Sequence, residues 1–141
     1  MNKPISLHRY WIWANALRTH FDEHLKAESK EKKKDISWFA DYEGVFLSHW
    51  YAALFVVIEG WQQTLLKDPV IDDLLLSPNV ELLRRFRNGV CHFQIIYFDD
   101  RFIEFMAEPT TVAWVRTLNA EFGRYFLQIL DSHNNETSYR H

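Results

Sequence analysis

Residues 45–61 read VFLSHWYAALFVVIEGW and form the most apolar stretch of the chain. Apolar side chains fall on nearly every side of a helix built from this stretch, which is typical of a helix at the centre of a bundle. Ser48, His49 and Glu59 interrupt it, and we judge it too short and too polar to span a bilayer. The sequence therefore predicts a central core helix from about Ser37 to Leu66 and no membrane partner.

Glycine and proline are scarce along the whole chain. The 141 residues include four of each, and 48% of all residues are apolar. Sandwiches and barrels need many tight turns, so this scarcity favours a few long helices. A chain of this length is the usual size of one domain and can bury a sizeable core. We predict an all-α fold, an up-and-down bundle of four to five helices in one domain spanning residues 1–141.

The single cysteine, Cys91, cannot form an intramolecular disulfide. A lone thiol fits a reducing compartment. The N-terminal residues lead directly into an aromatic-rich amphipathic segment that does not match a signal peptide. We therefore expect a cytoplasmic protein.

The first helix is predicted from about Ser6 to Lys26, where apolar side chains recur at spacings of three and four. Ser6 is the expected N-cap, with Pro4 just outside the helix. A charged segment follows at about residues 26–36, and we expect it to form a solvated loop because it has almost nothing to bury.

Two proline-containing signals predict helix starts after the central helix. Asp68-Pro69 and Ser77-Pro78 each place a capping residue directly before proline, which is favoured in the first helical turn. Residues 93–98 are ambiguous between strand and helix, and the helical spacing of Phe98, Phe102, Phe105 and Met106 favours a helix.

Pro109 is expected to end that helix. The last helix is predicted from about Thr111 to Ser132. Residues 134–141 show no apolar periodicity, which predicts a frayed or disordered tail.

The formal net charge of −3 argues against a protein that coats nucleic acid through charge alone. Any RNA contact must therefore come from a local basic patch. The candidate is the cluster Arg84-Arg85-Phe86-Arg87, and we assign substrate binding to Arg84 and Arg85. No DNA partner is expected.

The basic cluster leads into the motif Arg87-Asn88-x-x-x-His92. This motif resembles the signature of the HEPN superfamily (higher eukaryotes and prokaryotes nucleotide-binding domains). The resemblance implies a helical domain, a metal-independent ribonuclease without a cofactor, and a homodimer that acts on RNA. It further implies a role in defence, as a toxin or abortive-infection protein, with a cognate antitoxin as a candidate partner.

The chemistry of these side chains agrees with RNA cleavage. The 2′-hydroxyl of RNA is its own nucleophile, so cleavage needs proton transfer and stabilisation of charge on the phosphate. Histidine titrates near neutral pH and can transfer protons, whereas the planar guanidinium of arginine matches two phosphate oxygens. We assign phosphate binding to Arg87, proton transfer to His92 and positioning to Asn88.

Helix geometry separates two of these residues. At about 100° per residue, Asn88 and His92 share a helix face, but Arg87 and His92 lie roughly 140° apart. Three solutions exist: a break near Gly89, an Arg87 side chain that reaches around, or a site completed by a second subunit. The resemblance implies the third, because two motifs face each other across a two-fold axis in such ribonucleases.

The resemblance also bears on adenylylation of the site and on an acidic residue that supports it. Relatives whose antitoxin is a nucleotidyltransferase often carry a tyrosine where this chain has Gln94, so we do not expect adenylylation there. The resemblance also implies an acidic residue from an earlier helix. Glu59 and Glu43 are both candidates, and the sequence does not choose between them.

Structural roles compete with these assignments. Arg87 could instead cap the C-terminus of its helix or pair with Asp99 or Asp100, and His92 could be a hydrogen-bonded core histidine. We expect no role for Cys91 as a nucleophile, because it points about 100° from His92 on a helix and single cysteines are commonly buried.

Two other groups of residues suggest binding roles that we consider minor. His20 and His24 share a helix face but have no evident third ligand, so we predict no metal site. Most tryptophans have core spacing, and Trp13 and Trp38 are candidates for surface or interface positions.

Three functional hypotheses follow, in decreasing order of support. The first is a metal-independent endoribonuclease built around Arg87, Asn88 and His92. The second is a non-catalytic module that binds a nucleotide, RNA or a protein in the same cleft. The third is a helical interaction protein whose aromatic faces mediate oligomerisation.

Overall fold

The computed structural model describes residues 3–28, 42–96 and 99–138. These residues form an all-α bundle, as predicted. It contains α1 (Lys3–Glu28), α2 (Tyr42–Gln63), α3 (Pro69–Leu74), α4 (Asn79–Cys91), α5 (Asp100–Ala107) and α6 (Thr111–Ser138). The described part therefore has six helices rather than four to five, because the short α3 and α5 are separate helices.

The central position predicted for α2 is confirmed. It packs against both α1 and α4, and it supplies the largest share of the buried core: Leu47, Trp50, Tyr51, Leu54, Phe55, Val57, Ile58 and Trp61. Among the described residues, Gly44–Gln63 is long and apolar enough to cross a membrane, contrary to our expectation of a shorter, more polar stretch. However, 61% of its apolar window is buried inside the bundle, as in a core helix.

The start of α1 and the end of α2 differ from the prediction. α1 begins at Lys3, so Ser6 is not its N-cap and Pro4 lies inside the first turn. Proline is tolerated there because its missing N–H would have no intrahelical partner. α2 ends at Gln63 rather than Leu66, since Leu65 adopts a left-handed backbone conformation with φ of 56°. The predicted start at Ser37 and the charged loop beyond Glu28 lie outside the described residues.

The short helix α3 starts as its sequence predicts. The Asp68 carboxylate accepts hydrogen bonds from the backbone N–H groups of Val70 and Ile71, at 3.0 and 3.1 Å, and Pro69 is the first helical residue. Burial alone would raise the pKa of Asp68, but these N–H donors and the Arg124 guanidinium lower it. The cap therefore also ties α3 to α6.

α4 starts less regularly, because Pro78 is its N-cap residue and provides no side-chain cap. The Ser77 hydroxyl nevertheless accepts a hydrogen bond from the Asn79 N–H at 3.1 Å.

Two predictions about the C-terminal helices need correction. α5 begins at Asp100, because the Asp99 side chain caps it, and residues 93–96 are neither strand nor helix. The expected tail is helical as far as Ser138, although every side chain from Asp131 to Ser138 is exposed. Residues 139–141 lie outside the described residues.

A charged and amide network joins α1 to α6. Asp22 binds Arg18 and Arg116, each at 2.7 Å, and the buried Asn119 amide donates to Asn15 and accepts from the Trp50 indole. The hydrogen bond from Arg116, opposed by partial burial and aided by the charges of both arginines, lowers the pKa of Asp22 below its usual range. The ionised carboxylate is thus the form that stabilises this contact.

We expect the stability of the protein to depend on the ionisation of Asp22. Because its folded-state pKa is depressed, its contribution is fully present above about pH 4 and is lost as the pH falls through the folded value. Asp22→Asn should lower the free energy of unfolding by about 1–2 kcal/mol at pH 7, given the partial exposure of the pairs. Denaturant unfolding at pH 7 and pH 3 measures the difference.

At pH 3, the free energies of unfolding of Asp22→Asn and the unmodified protein should differ by less than at pH 7. Asp131→Asn, at an exposed position of α6, is the matched control and should change little at either pH. An equal loss at both values of pH would show that the charge of Asp22 is not what stabilises the contact.

Candidate functional site

The Arg-Asn-x-x-x-His motif lies at the C-terminal end of α4. Arg87 and Asn88 are helical, whereas His92 follows the last helical residue and has extended backbone angles, φ −119° and ψ 132°. The helix therefore ends at the histidine and not near Gly89. Gly89 is buried inside α4, where a Cβ atom would come within 3.0 Å of the Phe102 ring, so its role is to let α5 pack closely.

Arg87 is held against α2 by two contacts. Its Nη2 lies 3.1 Å from Oε1 of Glu59, and its guanidinium carbon lies 4.9 Å from the centre of the Phe55 ring. Of the two acidic candidates, Glu59 therefore contacts the motif. The side chain of Glu43 is not among those that the structure describes. The alternative pairing of Arg87 with Asp99 or Asp100 is wrong for this structure.

Two buried atoms at this contact lack hydrogen-bond partners among the described residues. They are Oε1 of Glu59 and Nε of Arg87. Oε1 of Glu59 keeps its charge contact with Nη2 of Arg87, although without the geometry of a hydrogen bond. Nε of Arg87 is therefore the unsatisfied buried group, which typically costs about 1–3 kcal/mol. Unsatisfied buried polar groups are rare in native structures. One explanation for them is a functional role.

His92 is more accessible than Arg87 and Asn88. Asn88 is half-buried and His92 is exposed, and neither side chain has a hydrogen bond or ion pair within the described ranges 3–28, 42–96 and 99–138. The backbone anchors His92 instead: its N–H donates to the Asn88 carbonyl at 3.1 Å, and its carbonyl accepts from Nε2 of Gln94 at 2.8 Å. Among these described residues the imidazole has no partner, and its exposure shows that the core-histidine alternative is wrong.

The two arginines assigned to substrate binding already face carboxylates. Arg84 binds Glu81 one turn earlier in α4, and Arg85 binds Glu104 of α5. Together with the Arg87–Glu59 pair, each arginine of the basic cluster has an acidic neighbour. The patch is therefore less electropositive than the sequence run alone indicates. All four side chains of the two outer pairs are well exposed, so solvent weakens these pairs.

The segment that follows His92 exposes large apolar side chains. Phe93, Ile95 and Ile96 are 92%, 93% and 66% exposed. Cys91 is also exposed rather than buried as we expected, because α4 ends there and the chain turns into solvent. Exposed apolar groups of this size, adjacent in sequence, commonly mark an interaction surface.

A cavity of about 390 Å³ lies between α1 and α2 beside this site. Glu59, Gly60 and Gln63 of α2 line one wall, and Lys3 and Tyr10 of α1 line the other. Glu59 therefore faces the cavity and also binds Arg87. The sequence did not indicate this cavity, because the spacing of two helices depends on how their side chains interlock.

The remaining candidates take structural positions. His20 and His24 both stack on Phe46, with ring centres 5.3 and 5.1 Å apart. In the described part of the chain, no three His, Cys, Asp or Glu side chains form a group that could hold a metal ion. Trp13 is on the surface, as expected, and Trp38 lies outside the described residues.

Comparison with known proteins finds no relative of this chain. No protein-family model matches the chain, and neither a curated protein nor a solved structure matches it.

Proposed function

We propose that this protein is a metal-independent endoribonuclease in which Arg87 binds the scissile phosphate and His92 transfers protons. One observation carries the proposal: a held guanidinium and a free imidazole occupy the same end of α4. The helical part from Arg87 to Cys91 spans only about 6 Å along the axis, and His92 follows directly. In the proposal, these two groups act on one phosphodiester and its neighbouring ribose.

Each group supplies a different part of the reaction. His92 removes the proton of the 2′-hydroxyl or returns one to the departing 5′-oxygen, steps worth about 10²–10⁴-fold in rate. The Arg87 guanidinium stabilises charge on the phosphate oxygens, worth about 10²–10³-fold. Glu59 and Phe55 fix the arginine side chain before substrate arrives, and Asn88 orients the phosphate or the imidazole.

A second copy of the chain completes the site in this proposal. The exposed residues Phe93, Ile95 and Ile96 follow His92 directly, so a two-fold contact through them would bring two copies of His92 together. Burial of each side chain is worth about 1.5–3 kcal/mol. A defence role, with an antitoxin as partner, rests on the family resemblance alone.

The purified protein is expected to cleave single-stranded RNA in the presence of EDTA. Neither proposed group needs a metal ion, so chelation should leave the rate unchanged. The upstream product should end in a 2′,3′-cyclic phosphate or a 3′-phosphate, and the downstream product should begin with a free 5′-hydroxyl. Gel electrophoresis of a labelled RNA measures both. A DNA strand of the same sequence is the control, because it lacks the 2′-hydroxyl and should remain intact. Cleavage that EDTA removes would contradict the proposal.

A non-catalytic binding module is the second candidate. It is favoured by the exposed side chains of Phe93, Ile95 and Ile96, which offer a binding surface beside the motif. RNA or nucleotide binding without cleavage, at high protein concentration, would support this candidate over the nuclease.

A further inference from the structure

The first part of α1 carries a net positive charge within an acidic chain. Residues 1–21 contain three lysines or arginines, namely Lys3, Arg9 and Arg18, and no aspartate or glutamate. Their formal charge is +3, whereas the whole chain has −3. Arg18 pairs with Asp22 at 2.7 Å, so Lys3 and Arg9 are the cations of this segment that can attract a polyanion.

Exposed aromatic rings lie on the same face. Trp13 is 54% and Tyr10 is 39% exposed, and their rings meet edge to face at 5.3 Å. The Arg9 guanidinium carbon lies 6.0 Å from the Tyr10 ring centre and 5.9 Å from that of Trp13. Two solvent-accessible π-surfaces beside one cation suit the stacking of nucleobases and the neutralisation of a phosphate.

This aromatic face is continuous with the candidate catalytic group. Tyr10 also lines the cavity between α1 and α2, and Lys3 and Gln63 add polar groups to its walls. Glu59 lies on the same cavity and holds Arg87 from the other side. A chain of contacts thus leads from Trp13 through Tyr10 and the cavity to Arg87.

We propose that Tyr10, Trp13 and Arg9 form a stacking platform for single-stranded RNA, which directs the strand along the α1–α2 cavity toward Arg87. The inference deepens the proposed function and rests on it, because RNA is the ligand in both. Bases stack on Trp13 and Tyr10, while Arg9 and Lys3 contact the backbone. Recognition of this kind tolerates any base sequence, since every base has a π-face.

Binding of a 2′-O-methyl oligouridine with a fluorescent 5′ label tests the platform. The methylated sugar prevents cleavage, so affinity is measured apart from catalysis. Fluorescence anisotropy should show that Trp13→Ala and Tyr10→Ala each raise Kd by about 5- to 150-fold. Trp13→Phe should retain most of the affinity, and Arg9→Gln should reduce the salt dependence by about one unit of slope.

Leu127→Ala is the matched control, because Leu127 is an exposed apolar residue on α6 that does not line the α1–α2 cavity. Its Kd should equal that of the unmodified protein. Unchanged affinity in the Trp13→Ala/Tyr10→Ala double variant, or no binding by the unmodified protein, would overturn the inference. A change in oligomeric state, measured by light scattering, without a change in Kd would identify a protein interface and also overturn it.

The two proposals fail separately. RNA cleavage that is independent of Trp13 would remove the platform and leave the nuclease standing. Trp13-dependent binding without cleavage of ordinary RNA would remove the nuclease and leave the platform.

Discussion

Replacement of His92 by alanine is expected to lower the rate of RNA cleavage by about 10²–10⁴-fold, because no other group then moves the 2′-hydroxyl proton. The imidazole is exposed and, within the described part of the chain, makes no side-chain contact that the fold could lose. The free energy of unfolding should therefore change by less than about 0.5 kcal/mol. Single-turnover cleavage and denaturant unfolding of the same preparation measure the two quantities.

His49→Ala is the matched control for this variant. His49 is also an exposed histidine, on α2, with Nδ1 2.9 Å from the Val45 carbonyl oxygen. Its removal should leave the cleavage rate unaltered. A His92→Ala protein that cleaves RNA at the original rate in EDTA would contradict the assignment of proton transfer to His92.

The design of the arginine variant follows from the Glu59 contact. Arg87→Ala would leave a partly buried carboxylate without its cation, so lost activity and lost stability would be mixed. Arg87→Lys keeps the charge but removes the planar fork that matches two phosphate oxygens. It is therefore the variant that reports on phosphate binding.

Phe86→Ala is expected to have the largest effect on stability, a loss of about 3–5 kcal/mol in the free energy of unfolding. Phe86 is fully buried, and its ring lies 5.4–5.6 Å from the ring centres of Tyr51, Phe102 and Phe105. Its removal leaves a cavity between α2, α4 and α5. Because total stabilities are about 5–15 kcal/mol, the loss should be evident in both denaturant and thermal unfolding.

Phe93→Ala makes the same chemical change at a position that is 92% exposed. At protein concentrations low enough for a monomer, it should change stability by less than about 0.5 kcal/mol. Should Phe86→Ala fail to fold, Phe86→Leu provides a milder variant with a smaller cavity. A loss below about 1 kcal/mol in Phe86→Ala would show that this ring is not packed as described.

Local signals explain the features that the sequence predicted well. Asp68-Pro69 determines the start of α3 through a cap and a fixed φ angle, both of which depend only on neighbouring residues. The apolar run of α2 requires burial on several sides, which a bundle provides. The sequence alone could also predict the Arg84–Glu81 pair, because residues three apart on a helix are neighbours.

Features that depend on tertiary packing were not predictable in the same way. The choice of Glu59 as the partner of Arg87 depends on the register between α2 and α4, which the sequence of either helix does not contain. Gly89 was a candidate for a helix break, but it serves the close approach of Phe102 and remains helical. The helix ends at His92 instead, so the angular separation calculated for a continuous helix no longer applies there.

Phe93, Ile95 and Ile96 also have a consequence for how the protein behaves at different cellular abundances. If another copy covers these residues, the fraction covered follows mass action and rises with the total amount of protein. A nuclease completed by such a contact would be nearly silent when scarce and active when plentiful. Its output would then respond to expression level more steeply than in direct proportion, without any small-molecule signal.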